Sequence, residues 1–516
     1  MFKKGLGFIL ATVLTVMPGC TDGTPLPQTT DAASTSAPVT ENMVIHTEGE
    51  THIALSDSAI TVNGEILSGD TDNAVYGAKD IIYYMSGKDA SYGEGTETDA
   101  HTDEEAGEHV VVHITQPGIY RVSGKLSAGQ LFIDLGDGAK NDADAVVTLI
   151  LDDADITCTV APAILFYNVY ECGDKDVANA TAIVDTAAAG ANVVIADGST
   201  NTVNGAYVAR IYKEGTTDKL HKYDGAFYSK MSMNISGGEK GDGVLNINAA
   251  NEGLNSELHL TVNGGNITIA AQNDGINTNE DNISVTTING GSLTINAGLG
   301  EEGDGIDSNG FLVISGGTVI SSACDRSPDG GIDADRDILI HGGTVIALGN
   351  QNGTVSTNST QGFLQLSAQN AIAANSDVKL TDGDKVLLEF TAIKSGTALV
   401  LSAPELESGK PYTLTVNGTA VNYTTGGGFG MGNMQPPMEQ NGQRPNDMNG
   451  MNNRDDMQGD PFPAVPEGLD EWLNSTEIPD DIRTWIESMR DMASQKSDFG
   501  NRGEMPQPPQ GIGQTR

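Results

Sequence analysis

DGAFYSK (224–230), NEGLNS (251–256), NDGINT (273–278), GDGIDS (303–308) and GGIDA (330–334) succeed one another between about Gly225 and Asn350, each followed by a short run of alternating aliphatic residues. Between them stand paired glycines at 264–265, 290–291, 316–317 and 342–343, so the pair recurs every 26 residues three times in succession. A strand-like segment follows each pair: NITIAA, SLTINA, TVISSA and TVIALG. A fixed period of this size, with one aliphatic strand set per unit, is the mark of a solenoid. The runs alternate with period 2 and not 3.6, so the repeat is built of strands.

Aligned on the motif glycine, Glu252, Asp274 and Asp304 fall in one column, with Gly330 in the fourth unit. Leu254, Ile276, Ile306 and Ile332 form the next column, and Asn255, Asn277, Asp307 and Asp333 the one beyond. If each unit is one turn of a parallel β-helix, equivalent residues stack about 4.8 Å apart. Aliphatic columns then build the core, and Asn255 and Asn277 form a corner ladder. Glycine tolerates the positive φ that a sharp corner demands.

Stacking makes carboxylates costly. Asp304 and Asp307 would sit close to Asp333, with Glu301, Glu302, Asp329, Asp335 and Asp337 near in sequence. Like charges at such spacing must be solvated, protonated or bridged by a cation. Hard oxygens at mixed Asp, Asn and Glu positions suit Ca²⁺. The candidate metal ligands are Asp274, Asp304, Asp307, Asp329, Asp333, Asp335, Glu301 and Glu302; the plain alternative is a set of solvated corner acids.

Toward the N-terminus, residues 1–20 read as a lipoprotein-type signal peptide: Lys3 and Lys4, an apolar run over Gly5–Met17, then Cys20. The run is too short to span a membrane as a mature helix. Its Gly-Cys end resembles the box after which bacterial lipoproteins are lipidated, here on Cys20. Met17-Pro18 departs from the usual Leu-(Ser/Ala), which keeps an ordinary secretion signal open. Residues 21–40, rich in Thr, Ser, Pro and Ala, read as a flexible tether. The layout favours a secreted protein, anchored by lipid at the bacterial cell surface.

The solenoid with its N-terminal cap is expected over 41–350, and a β cap over 351–425 to cover the last coil's open edge. Ala145–Leu151 and Ile156–Val160 read as separate strands, residues 87–107 as a loop, and 171–189 and 207–223 as interrupting tracts. Tyr207, Tyr212 and Tyr223 in the last tract are candidate carbohydrate-binding rings, or else packed loop residues. His109 and His113 read as surface residues, and Cys158 and Cys172 could pair across a loop. A low-complexity Gly/Met/Pro/Asn linker (426–466) precedes an amphipathic helical segment (467–494) and a disordered tail (495–516). The stripe Ile478, Ile482, Trp485, Ile486 and Met489 needs a partner, either the solenoid flank or another protein.

With 70 acidic and 27 basic residues among 516, the formal charge of -43 repels nucleic acid. It would also repel polyanions unless bound cations invert the local field.

The succession AVVTLILDDADITCT (145–159), NTV near Asn201, GAFYSK (225–230), NEGLNS, NDGINT and GDGIDS resembles the bacterial calcium-containing carbohydrate-binding family over roughly 118–426. The resemblance implies a right-handed parallel β-helix; with the strand and stripe patterns above, the expected fold is all-β, a right-handed parallel β-helix (solenoid) with a C-terminal β cap and a short helical tail. The resemblance further implies bound calcium and a cellulose-type or pectic polysaccharide as partner. The family's acids match Asp274, Asp304 and Asp307, and less cleanly Asp333, whose unit carries Gly330 where Asp stands elsewhere.

A calcium-dependent polysaccharide-binding protein is therefore expected. A surface scaffold with structural calcium is the first alternative, and a polysaccharide lyase or hydrolase the second. Lyase chemistry needs a strong base beside the metal, for which Lys230, Lys240, Arg326 and Arg336 are the candidates.

Overall fold

The computed structural model describes residues 49–425, apart from 408 and 409. Cys20, the tether, the linker and the 478–489 stripe lie outside the described residues. Within them the chain is all-β, with one α-helix, the six residues Asp103–Glu108.

The units pair with one another in parallel and in register. Ile267 faces Leu293, Leu293 faces Val319, and Val319 faces Val345. Val147–Cys158, Thr200–Gly205 and Val244–Ala249 extend this ladder upstream. A second parallel ladder runs through Met233–Gly237, His259–Val262, Val285–Ile288, Phe311–Ile314 and Ile338–Ile340. A third joins Leu254 to Ile276 and Ile276 to Ile306, and a parallel bridge carries it to Ile332. Leu254, Ile276, Ile306 and Ile332 are all fully buried. The expected aliphatic column is thus a core column.

Two kinds of glycine shape each unit. The second of every pair, Gly265, Gly291, Gly317 and Gly343, has φ of 97°, 82°, 75° and 84°, a backbone that L side chains rarely adopt. The motif glycines serve another need, because two ladders approach closely there. A Cβ on Gly253 or Gly275 would lie 2.4 or 2.2 Å from Ile269 Cγ2 or Ile295 Cγ2, and one on Gly305 would lie 1.9 Å from Ser321 Oγ.

Several local expectations are corrected. The two strands expected between Ala145 and Val160 are one, Val147–Cys158. Asp153 takes φ 59° within it, and the partner strand slips register between Val122 and Gly124. The 87–107 tract is not all loop, since it reaches into Asp103–Glu108, where Thr102 and Glu105 form a reciprocal cap. His109 and His113 are buried, not superficial. His109 Nδ1 lies 2.9 Å from Glu105 O, and its Nε2 accepts the Thr159 N–H at 3.1 Å. Cys158 and Cys172 are unbonded. The 171–189 tract lays Ala180, Ala182 and Val184 over Val285, Phe311, Val313 and Leu339, covering apolar side chains on the second ladder.

At the far end the pairing changes sense. Thr344–Gly349 pairs antiparallel with Gly396–Ser402, which in turn pairs antiparallel with Phe363–Ile372. A separate core forms there from Ile346, Leu348, Leu364, Leu366, Leu399 and Leu401.

The motif glycines give a direct test. Gly275→Ala should lower stability by about 1–3 kcal/mol, the usual cost of overpacking, read as a lower denaturant midpoint. Gly107, which lies in the helix with open space around it, serves as control; Gly107→Ala should stabilise by roughly 0.5–1 kcal/mol. Equal effects from both substitutions would refute the close-approach explanation.

Candidate functional site

The third ladder belongs to an eight-stranded sheet that runs from Val75–Ala78 through Val110–Ile114, Gly129–Asp134, Ile164–Asn168 and Gly225–Ser229 to Glu252–Ser256, Ile276–Thr278 and Ile306–Ser308. Its register places Tyr76, His113, Phe132, Leu165, Tyr228, Asn255, Asn277 and Asp307 side by side. Asp333 follows Asp307 through the Ile306–Ile332 bridge. Since the neighbouring Leu131, Ile164, Phe227, Leu254 and Ile276 are buried in the core, alternation turns this row to the opposite face.

The row changes chemistry along its length. Tyr76 stacks on His113 at 4.4 Å, His113 meets Phe132 edge-on at 5.3 Å, and Phe132 stacks on Tyr167 at 5.7 Å. His113 Nε2 also lies 2.9 Å from Asp80. Lys230 Nζ sits 4.0 Å over the Tyr167 ring, a cation–π contact.

Beyond Tyr228 the row is amide and acid. Three positions before Asn255, Asn277 and Asp307, across the motif glycine, stand Glu252, Asp274 and Asp304, which act on the row and on one another. Asn255 Nδ2 donates to Glu252, and Asn277 Nδ2 donates to Glu252 Oε1 at 3.1 Å. Asp274 Oδ1 accepts the Asp304 N–H at 2.7 Å, and Asp304 Oδ1 accepts the Gly330 N–H at 2.6 Å. Asp329 Oδ2 accepts the Gly303 N–H at 2.6 Å. Asp274 and Asp304 thus each hold the backbone of the following unit, and Asp329 that of the preceding one.

These bonds leave the charges uncompensated. Burial, reinforced by Asp224, pushes Glu252 up to about 8 against the lowering effect of its two asparagines. Burial, then Glu252, Asp307 and Asp304, hold Asp274 well above the usual carboxylate range. Asp304 is pushed up to about 8, chiefly by burial and further by Asp307, Asp333 and Asp329, against the Gly330 N–H. Asp307 is pushed up to about 6 by burial, Asp333, Asp335 and Asp329. Asp333 is raised by burial first and by Asp335 and Asp329 after it.

The structure thus gathers Asp274, Asp304, Asp307, Asp329 and Asp333 from the sequence-derived ligand set. Asp335 is exposed beside them, and Glu301 and Glu302 are exposed. Asn255 and Asn277 are register partners whose amides both turn to Glu252 instead of to each other. Glu252 and Asp224, 6% and 7% exposed, belong to the row although they were not among the candidate ligands. Glu252 was visible in the alignment as the column mate of Asp274; Asp224 precedes the first motif glycine, which was the available signal.

The three tyrosines part company. Tyr207 donates to Asp99 at 2.5 Å and Tyr212 to Glu94, both half-buried. Tyr223 is 2% exposed and packs on Tyr228 and Tyr167 at 5.2 and 6.3 Å. It has no face left for a sugar. Of the candidate bases, Arg326 pairs with Asp325 and the Leu299 carbonyl, and Arg336 covers Phe311 and donates to Asn282 O.

For a cation, the donor chemistry is informative. Among the described residues, no three His, Cys, Asp or Glu side chains are grouped so as to hold a metal by themselves. The row also offers an amide oxygen: Asn277 Oδ1 is buried and accepts no hydrogen bond. A buried acceptor without a donor, set among crowded carboxylates, fits a hard cation with mixed oxygen ligands.

The model of the carbohydrate-binding domain-containing protein family matches residues 108–173 and 174–422, over half of the chain. The chain belongs to this family. A carbohydrate-binding domain-containing protein of Acetivibrio thermocellus is 29% identical over 161 residues, 31% of this chain and 45% of that relative. The chain thus spans less than half the length of the relative it matches. A solved structure of a polysaccharide lyase-like protein from C. thermocellum, a gadolinium derivative, superimposes with a TM-score of 0.33 at 20% identity, covering 60% of this chain and 90% of that one.

The raised acids fix the sign of a pH effect. Asp307 and Asp304 keep their protons up to about 6 and 8 when folded, whereas unfolded aspartates lose theirs near about 4. Their contribution to stability is full below the unfolded value and is lost as pH rises through the folded ones. In chelator, the melting temperature should fall between pH 5 and 8.5, and Asp304→Asn should flatten the slope. A profile that is level for the native chain would rule out this electrostatic account.

Proposed function

We propose that this protein is a calcium-dependent polysaccharide-binding protein for uronate-containing or cellulose-type glycans, built on a right-handed parallel β-helix. Three parallel ladders around shared buried columns support the β-helix reading, with right-handed crossovers the near-universal choice between parallel strands. Membership of a carbohydrate-binding domain family supports a glycan partner. The observation that carries the calcium reading is the orphaned Asn277 Oδ1, on the residue in register beside Asp307.

In this reading Asp274, Asn277, Asp304, Asp307 and Asp333 hold the ions. Bound there, calcium would offset the row's charge and offer remaining coordination positions to uronate carboxylates. The chain's own part is to present a straight edge of oxygens at the strand spacing, held rigid by the Asp274 and Asp304 bonds to the next coil. A net charge of -43 makes such bridging necessary for an acidic glycan. Lipidation of Cys20 with the 21–40 tether would display the domain at the bacterial cell surface.

The test is co-sedimentation of the purified protein with polygalacturonate and with cellulose, in calcium and in chelator. Retention on polygalacturonate in calcium, lost in chelator, is expected, and Asp304→Asn with Asp307→Asn should weaken it about tenfold or more, a loss of at least ~1.4 kcal/mol. Tight calcium binding without retention on either glycan would make the ions structural. Accumulation of unsaturated sugar ends would instead reveal a lyase.

A further inference from the structure

The acidic row is not uniform in its relation to positive charge. Residues 207–223 fold as an antiparallel hairpin, Val208–Tyr212 against Lys219–Tyr223, that pairs with neither large sheet. Its open end is fixed by Tyr223, buried against Tyr228, and its turn end by Lys219, 3.6 Å from Glu257. Its outer strand is tied to the preceding insertion by Tyr207 to Asp99, Arg210 to Glu94 and a Glu94 N–H to Arg210 O bond of 2.9 Å. This anchoring delivers Lys222 Nζ to 2.7 Å from Asp224 Oδ2.

Asp224 and Glu252 are both more than nine-tenths buried, and they act electrostatically on each other and on Lys222. A cation, the lysine's own, is thus already seated at this end of the row. Further along the situation reverses. No salt bridge to Asp274, Asp304, Asp307 or Asp333 is present among the described residues, and Asn277 Oδ1, one coil beyond Asn255, lacks any donor.

We propose that Lys222 is a tethered counter-cation that closes the Asp224–Glu252 end of the row to metal ions, so that ion binding begins at Asp274. The ammonium does for the first coil what a divalent ion does for later ones, and the hairpin sets where the ion row starts. Removing the ammonium leaves Asp224 Oδ2 and Glu252, two buried carboxylates, without the lysine between them and the metal, and carboxylate oxygens are the donors that hard cations take. This rests on the calcium reading above for the later coils, but the Lys222 site is tested on its own.

The experiment is equilibrium dialysis of the full protein against calcium alone, with bound metal counted by elemental analysis, for the native chain, Lys222→Met and Lys222→Arg. Lys222→Met should bind one calcium more than the native chain, and Lys222→Arg the native number. Adding Glu252→Gln to Lys222→Met should abolish the gain, which a mere loosening of the fold would not do. Should Lys222→Met fail to fold, Lys222→Gln keeps the stem and a donor and carries the same expectation. A native chain that binds calcium with no gain in either neutral variant overturns this proposal alone. A native chain that binds none, with one ion gained in Lys222→Met, overturns the calcium reading of the later coils and leaves this one standing. Absence of binding in every variant overturns both.

Discussion

Parallel in-register pairing places every residue on its own equivalent, and this constraint governs the molecule. For Leu254, Ile276, Ile306 and Ile332 the constraint is favourable, since each methyl group finds another and the column leaves water entirely. For acids it is unfavourable, since each carboxylate finds another. The chain meets the second case with backbone N–H groups, where Asp274 holds the Asp304 amide and Asp304 holds the Gly330 amide. These bonds fix geometry without neutralising charge. The same ladder that builds the core therefore builds a strip of strained electrostatics on its outer face.

Much of this was legible in the sequence because stacking converts three-dimensional neighbours into a period. The pairings Leu254 to Ile276 and Ile276 to Ile306 follow from aligning motifs on their glycines. What the period could not show is anything set by partners outside it. The motif glycines looked like corner residues, yet what they require is space for Ile269, Ile295 and Ser321 on the facing ladder. Tyr223 looked like a binding ring because a polar tract surrounds it, and only the fold of its hairpin onto Tyr228 buries it. His109 is buried because a capped helix precedes it, and the Thr102 and Glu105 pair carrying that cap was in plain view. Asp153 hid a bend inside one strand.

The face divides into two chemical halves with a hairpin between them. Aromatic side chains on the first strands pack edge to face and face to face, contributing roughly 0.5–1.5 kcal/mol per pair beyond their burial. Amides and acids occupy the later coils. Tyr228, fully buried, marks the junction, donating to Glu257 while Tyr223 covers it. An apolar, self-satisfied half thus adjoins a charged half whose demand for positive partners is met by the protein at one coil only.

The antiparallel closure of Thr344–Gly349 by Gly396–Ser402 has a consequence for how such chains change over evolutionary time. Because the stack ends in a module of opposite pairing sense, the repeated units ahead of it can change in number without a change in that sense. Duplication of one 26-residue unit would lengthen the acidic strip by about 4.8 Å while leaving both ends intact. Loss of a unit would shorten it by the same step. The length of the strip is then inherited in whole-unit steps, as a number of repeats.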